Sequence, residues 1–352
     1  MAYSLVDLFC GAGGMSLGFK QAGCEPVFAA DWDQHACNTY RRNLGDHVHK
    51  LDLASISAPN LDAMVRPLAA EIDIVAGGPP CQGFSLQRRG NASDSRNDLV
   101  LRFGEFATHL RPKVIVMENV PTVLGSRGKE HIKELFSLFE AGGYSTSSTI
   151  LDASLFGVPQ SRRRAFIVAL RSDVGTAFKF PAPNILVLKT VRDAIGDLPP
   201  PPEDNGEHPL FANHQRAAIS PKNLERLSYV PEGGGRLDVP PHLQLPCHRN
   251  SNGHRHLDVF GRLWWDRPSG TITAMFDNFT RGRFGHPDQN RNITNREGAR
   301  LQSFPDEFVF LGPKKDVARQ IGNAVCPALA QTVAHSIIQI LAEQRNFAKK
   351  VA

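Results

Sequence analysis

"DLFCGAGGMSLGF", residues 7–19, is the stretch on which the fold turns. The apolar run "SLVDLF" (4–9) enters a glycine-rich turn, and the chain leaves it in a helical pattern. Glycines 11, 13 and 14 let main chain approach a ligand closely at a helix N-terminus. A dinucleotide fingerprint starting at Gly11 needs glycine at 16, where Ser16 stands. The G-K-[ST] of a phosphate loop is absent too. The turn therefore predicts a nucleoside site of another kind, or simply a tight corner.

Outward from this turn, β-rich runs alternate with helical patterns. The strand candidates are 4–9, 26–31, 48–52, 73–78, 113–119, 144–151 and 165–170. Helices are predicted around 14–22, 33–43, 97–110 and 128–141. Nearly continuous apolar strands alternating with helices predict an α/β fold, a doubly wound, mostly parallel sheet covered on both faces. The last two strands are joined by "DASLFGVPQSRR", too short for a crossover helix, so at least one strand runs antiparallel to a neighbour. Beyond about 172 the texture changes. Twelve of the 25 prolines lie between 181 and 246, and six of the 13 histidines between 208 and 256. That is loop-rich chain, read as a small second domain. The tail 316–344 returns to helical periodicity with a break at Pro327. The expected division is a catalytic domain over 1–171, a second domain over 172–285, and a segment 286–352 packing back onto the first.

With 352 residues, the chain is long enough for one large domain, or one large and one small. No run of 18 apolar residues and no basic, cleavable leader are read, so no membrane association is expected and the protein is expected in the cytoplasm. Six cysteines without disulfide or metal-ligand spacing fit a reducing compartment. A net charge of +5 is weak by itself, but "QSRRRAF" (160–166) and 281–300 concentrate arginine. Arginine suits bidentate phosphate and guanine contacts. Charge alone leaves two solvated faces equally open.

The second strand ends in "ADWD" (30–33), about twenty residues after the glycine turn. An acid there hydrogen-bonds ribose hydroxyls. Trp32 offers a flat face for adenine, and Asp52 ends the third strand where it could take the adenine amino group. An open glycine loop with a ribose acid and an aromatic plate suits an adenosine ligand without a pyrophosphate, such as S-adenosylmethionine. The plain alternative is a tight turn with a core-facing tryptophan.

The fourth strand runs into "GGPPCQGFS" (77–85), which holds Cys81 in a stiff loop at the carboxyl edge of the sheet. An isolated cysteine is more often an inert core residue. Two other strand ends change that reading. The fifth places Glu118 in "MENV" on the same edge, and "QSRRR" (160–164) precedes the last strand. A thiolate attacking C6 of a pyrimidine makes C5 a carbon nucleophile. A carboxyl group can hydrogen-bond N3, and an arginine can hold the O2 oxygen.

These motifs resemble those of the cytosine-C5 DNA methyltransferases, from about residue 4 to 340. "DLFCGAGG" is similar to the family's first motif, "GGPPCQGFS" to the fourth, "ENV" to the sixth and "QSRRR" to the eighth. "NITNREGARLQSFPDEF" (292–308) and "QIGNAV" (320–325) resemble the ninth and tenth. The resemblance implies a Rossmann-like S-adenosylmethionine-dependent methyltransferase sheet with a small irregular target-recognition domain. It implies Cys81 as nucleophile and Glu118 as its acid partner, with Arg162 and Arg164 bordering a flipped base. Phe9, Gly11, Gly13, Asp31, Trp32, Asp52, Leu53 and Pro79 would line the S-adenosylmethionine site, joined by Asn323 and Val325. Asn119 would brace the Pro80–Cys81 turn.

Double-stranded DNA is the partner the resemblance implies, with Gln82, Ser85 and Arg88 on a closing loop. Arg267, Arg281 and Arg283 are candidate contacts in the recognition region, each of which could equally be a phosphate contact. A monomer is expected. A restriction endonuclease encoded nearby would form no stable complex with it. "CHRNSNGHRH" (247–256) matches no common zinc spacing, so no metal is expected. A tRNA-cytosine methyltransferase is the nearest rival, but the Cys-Phe-Thr signature of that branch is absent. A catalytically silent DNA-binding relative would not need Cys81 and Glu118, and a nicotinamide oxidoreductase is disfavoured by Ser16.

Overall fold

The computed structural model describes residues 2–69, 71–80, 98–183, 187–246 and 257–351, the last five without their side chains. The chain divides into two compact units. The first comprises 1–156, 163–184 and 325–352; the second comprises 157–162 and 185–324. Residues 286–324 thus group with the loop-rich region, and only the tail from Val325 returns to the first unit.

The first unit is built on a seven-stranded sheet in the order β3-β2-β1-β4-β5-β7-β6. Its strands are β1 Tyr3–Leu8, β2 Cys24–Asp31, β3 Val48–Lys50, β4 Ile74–Gly77, β5 Val114–Asn119, β6 Tyr144–Asp152 and β7 Arg163–Arg171. β4 and β5 are buried along their whole length, which is why they read as unbroken apolar runs. β1 to β5 pair in parallel, and β7 inserts antiparallel between β5 and β6. The short β6–β7 connection requires that reversal. Order reverses at β1, between β2 and β4. This is the topological switch point at which open α/β sheets bind ligands.

Helices α1 Gly14–Gln21, α2 Gln34–Leu44, α3 Ala58–Val65, α4 Asp98–Leu110 and α5 Lys129–Ala141 accompany the sheet. α3 lies where no helix is predicted. Its signals were present: Ser57 caps the Asn60 amide, and Pro59 sits in the first turn, where its missing N–H costs nothing. The core gathers Phe28, Phe103, Phe106, Leu135 and Phe139 against strand residues such as Val75 and Ile115.

Beyond the second unit, the C-terminal helix Pro327–Val351 packs on α1. They meet at Gly18, where a Cβ would lie 2.4 Å from the Pro327 carbonyl oxygen. The helical stretch 314–346 is long and apolar enough, by length and composition, to cross a membrane. Its apolar side is core: Leu329, Ala330, Val333, Ala334, Ile337 and Leu341 are buried.

The second unit contains little regular structure. It holds α6 Val191–Ile195, α7 Pro221–Ser228, the strand pair β8 Gly261–Arg262 and β9 Arg283–Gly285, α8 Asn295–Leu301 and α9 Lys314–Asn323. The C-terminal helix is therefore α10. Loops leave main-chain carbonyls without ladder partners, and buried carbonyls must find donors. Here arginines supply them. Arg262 donates to the carbonyls of Leu227, Val230, His286 and Gln289. Arg296 donates to those of Ala212, Pro305 and Phe308. Arg291 pairs with Glu297 through two bonds of 2.7 and 2.8 Å. Much of the arginine that suggests a nucleic-acid surface is internal wiring.

Candidate active site

The carboxyl edge of the sheet carries predicted residues at or just beyond the ends of β1, β2, β3 and β5. β1 ends in a turn where Phe9 has φ 58°, Gly11 φ 54° and Gly13 φ 95°. Phe9 holds a left-handed conformation that costs a non-glycine residue of the order of 1 kcal/mol or more, a strain typical of functional turns. The two glycines differ in role. A Cβ on Gly13 would strike Leu44 at 2.5 Å and Tyr40 at 2.8 Å, so Gly13 lets α1 settle against α2. A Cβ on Gly11 would meet nothing within 4 Å, so this glycine borders open space.

Asp31, at the end of β2, accepts the Gly11 amide at 2.8 Å and the Asp33 amide at 2.9 Å. Its carboxylate therefore ties the glycine turn to the second strand, a role the sequence did not suggest. Each oxygen keeps a further lone pair for a ligand hydroxyl. Burial pushes the Asp31 carboxyl up, against the hydrogen bonds from those amides. Trp32 is 65% exposed, so it is not the core-facing residue of the plain alternative. Asp52 is exposed and accepts the Ala54 amide, while Leu53 is buried beside it. An open glycine, a buried carboxylate and an exposed indole at the ends of adjacent strands fit an adenosine moiety.

β5 carries Glu118 and Asn119 to the same edge. Because β7 is antiparallel, its first residues arrive where β5 ends, with Phe166 opposite Glu118 and Ala165 opposite Asn119. Arg164 Nε thereby lies 3.0 Å from Glu118 Oε1, both side chains mostly buried. Gly78 runs past the other carboxylate oxygen, and a Cβ there would lie 3.7 Å from Glu118 Oε2. Asn119 Nδ2 donates to the Pro79 carbonyl at 3.0 Å and its Oδ1 accepts the Val120 amide at 2.8 Å. The bracing expected of Asn119 thus falls on Pro79, at the entrance to the cysteine loop. Cys81, Gln82, Ser85 and Arg88 lie outside the described residues, as does the 247–256 histidine stretch.

Arg162 differs from its neighbours. It belongs to the second unit, is only 2% exposed, and donates to the carbonyls of Ile272, Gly322 and Ala324 at 2.9–3.0 Å. It is a clamp on main chain, two residues from the arginine that meets Glu118. Arg283 is engaged in the same way. It donates to the carbonyls of Gly233, Gly234 and Arg262, pairs with Asp258, and stacks on Trp264 at 4.2 Å. Arg267 is exposed and lies over the same indole at 5.2 Å. Arg281 is exposed on a short turn, Phe279–Arg281, that is braced by Asn292 and by buried Phe279. Asn323 ends α9 as an exposed residue of the second unit, and Val325 is buried in the first. Among the described residues, no group of His, Cys, Asp or Glu could hold a metal ion.

The profile of the family described as "C-5 cytosine-specific DNA methylase" matches residues 3–339. The chain belongs to that family of DNA-modifying enzymes. It is 39% identical to the Type II methyltransferase M1.HphI of Haemophilus parahaemolyticus, over 97% of this chain and 88% of the relative. It is 36% identical to M.NgoFVII of Neisseria gonorrhoeae, over 96% of this chain and 87% of the relative. Among solved structures it resembles a DNA modification methyltransferase encoded within a prophage (E. coli). The TM-score is 0.72 and the identity 26%, over 97% of this chain and all of that one. The fold is shared with S. pombe Dnmt2 methyltransferase, at TM-score 0.58 and 21% identity, over 97% of this chain and 99% of that one.

Proposed function

We propose that this enzyme methylates C5 of a cytosine flipped from a short specific sequence in double-stranded DNA, through a covalent bond between Cys81 and C6. The observation that carries this reading is the Glu118–Arg164 contact of 3.0 Å beside the Gly78–Pro79 turn that leads into Cys81. S-adenosylmethionine, held by the Gly11 turn, Asp31, Trp32, Asp52 and Leu53, would supply an electrophilic methyl group.

The protein's own residues do the rest. Cys81, as thiolate, bonds to C6 of the base. Glu118 hydrogen-bonds N3 and stabilises the electron density that moves into the ring. Arg164 orients that carboxyl group and is the cation that would hold O2. After C5 takes the methyl group, a water molecule accepts the C5 proton, the C5–C6 double bond re-forms and the thiolate leaves. Flipping the base costs a few kcal/mol, which contacts to the duplex must offset. Arg267 and Arg281 are the predicted arginines of the second unit with exposed side chains, and they suit that task. Arg162 and Arg283 are assigned to structure instead.

The names of the curated relatives support a place in a restriction-modification system, with a cognate endonuclease acting on the same DNA sequence. The test is transfer of labelled methyl from S-adenosylmethionine to duplex DNA, abolished by Cys81→Ser. Unaltered transfer by that variant would overturn the mechanism, and transfer to tRNA instead would overturn the substrate.

A further inference from the structure

Beneath the glycine turn lies a chain of polar groups that the reaction does not use. Asp7 is 1% exposed on β1. Its Oδ2 accepts the Ser16 hydroxyl at 2.6 Å, while its Oδ1 is buried without a hydrogen-bond partner. The Tyr40 hydroxyl donates to Ser16 Oγ at 2.9 Å and lies 3.0 Å from His47 Nε2. Ser16 and Tyr40 are fully buried, and His47 is partly open to solvent. Ser16 is the residue that spoils a dinucleotide fingerprint, and here it is the first link from the buried acid. Tyr40 is the ring on which Gly13 rests, so the chain touches the turn itself.

We propose that Asp7, Ser16, Tyr40 and His47 form a proton relay that releases a proton to solvent when a cationic adenosine ligand occupies the glycine turn. Before the ligand binds, Asp7 is in part a neutral acid: in that fraction it donates from Oδ2 to Ser16, Ser16 to Tyr40 and Tyr40 to His47 Nε2, while in the remainder its carboxylate accepts from Ser16 as described above. A cation in the turn favours the Asp7 carboxylate. Each hydrogen bond then reverses: Asp7 gives its proton to Ser16, Ser16 to Tyr40, and Tyr40 to His47 Nε2. His47 returns to neutrality by losing its Nδ1 proton to water, so one proton leaves and no other bond changes. The final state is the donor pattern Tyr40 to Ser16 to Asp7.

Surrounding charges suit this traffic. Burial lifts the Asp7 carboxyl to about 7, with Asp31 on β2 adding to the lift. The Cys10 thiol, on the turn, is also pushed up, by burial and by Asp7 and Asp31. Tyr40 on α2 is pushed up by burial, Asp7, Cys10 and Glu25, so its hydroxyl relays without ionising. Burial, Lys20 on α1 and His49 lower His47, against Glu25 and Asp46, so the ring passes a proton on rather than keeping it.

The inference rests on the cofactor reading above, and calorimetry separates the two. The full chain is titrated with S-adenosylmethionine at pH 7 in two buffers of different ionisation enthalpy. The expected result is an apparent enthalpy that depends on the buffer, corresponding to net release of up to one proton per ligand. Asp7→Asn should bind with that dependence lost. Binding by the wild-type chain with a buffer-independent enthalpy overturns the relay alone; absence of binding overturns the cofactor reading and the relay with it. Tyr40→Phe keeps the ring under Gly13 and removes only the hydroxyl. With a pH-indicator dye in stopped flow, the proton should appear together with binding in the wild type and after it in the variant. Simultaneous appearance in Tyr40→Phe overturns the route.

Discussion

Glu118 on β5 and Arg164 on β7 meet at 3.0 Å because the two strands run in opposite directions, so the end of one lies beside the beginning of the other. The pairing puts a carboxyl group and a guanidinium at the sheet edge beside Gly78, three residues before Cys81 in the sequence. Glu118→Gln keeps the shape and removes the acid. It should lower methyl transfer by roughly 10²–10⁴-fold. S-adenosylmethionine binding, read by calorimetry, should stay within about twofold of wild type, a difference of under 1 kcal/mol.

The arginines separate into two classes that mutation can tell apart. Arg162→Ala removes three buried bonds to main-chain carbonyls and should destabilise the second unit by about 3 kcal/mol, measured by urea unfolding. Arg281→Ala should leave unfolding within about 0.5 kcal/mol of wild type, as for an exposed residue away from buried networks. It should instead weaken DNA binding and reduce the slope of log K against log salt by about 1. The opposite pattern would reverse the assignment.

Asp7 gives the unliganded protein an unusual pH dependence. Its carboxyl is lifted by burial from the ordinary value of 3.8 to about 7 in the folded chain. In that window the unfolded chain has already lost a proton that the folded chain still holds. Stability contributed by Asp7 is therefore highest below about pH 4, declines as pH rises towards 7, and levels off above it. The decline is of the order of a few kcal/mol. Thermal melts across that range should show it in the wild type and lose it in Asp7→Asn, where no proton can be exchanged.

Gly18 is the contact point of α1 and the C-terminal helix. Adding a methyl group would place it 2.4 Å from Pro327 O and 2.6 Å from the Ala330 Cβ. Gly18→Ala should gain about 1 kcal/mol in helix propensity and lose more in forced separation of the helices, for a net loss of about 1–2 kcal/mol. A melting temperature equal to or above wild type would contradict that packing.

All seven strands of the sheet could be read in advance; the buried parallel strands β4 and β5 leave unbroken apolar runs, and the glycine turn marks the end of the first strand. That at least one strand runs antiparallel was also legible, from a connection too short for a helix; that it is β7, inserted between β5 and β6, was not. Asp31, Trp32 and Glu118 were read from strand ends, and Arg164 from the family resemblance of "QSRRR". What could not be read was where each arginine points. Arg162 and Arg164 sit two apart in one motif, yet one holds three carbonyls and the other meets Glu118. Arg283 looked as free as Arg281, and its donors turn inward to Gly233 and Gly234. Loop-rich chain needs such donors, and nothing in local sequence says which arginine supplies them. The Asp7–Ser16–Tyr40–His47 chain was equally hidden, since its members come from a strand, two helices and a loop.

The most direct measurement of the central claim uses a DNA duplex carrying 5-fluorocytosine at the target position, incubated with the enzyme and S-adenosylmethionine. The target sequence comes first from base-resolution methylation mapping of DNA from cells expressing the protein. Fluorine at C5 cannot leave as a proton does, so the thiolate cannot be expelled. The account predicts a denaturant-stable protein–DNA adduct whose only modified peptide contains Cys81, and no adduct with Cys81→Ser. Normal methyl transfer to unmodified duplex with no adduct on the fluorinated one, or an adduct at another residue, would contradict it.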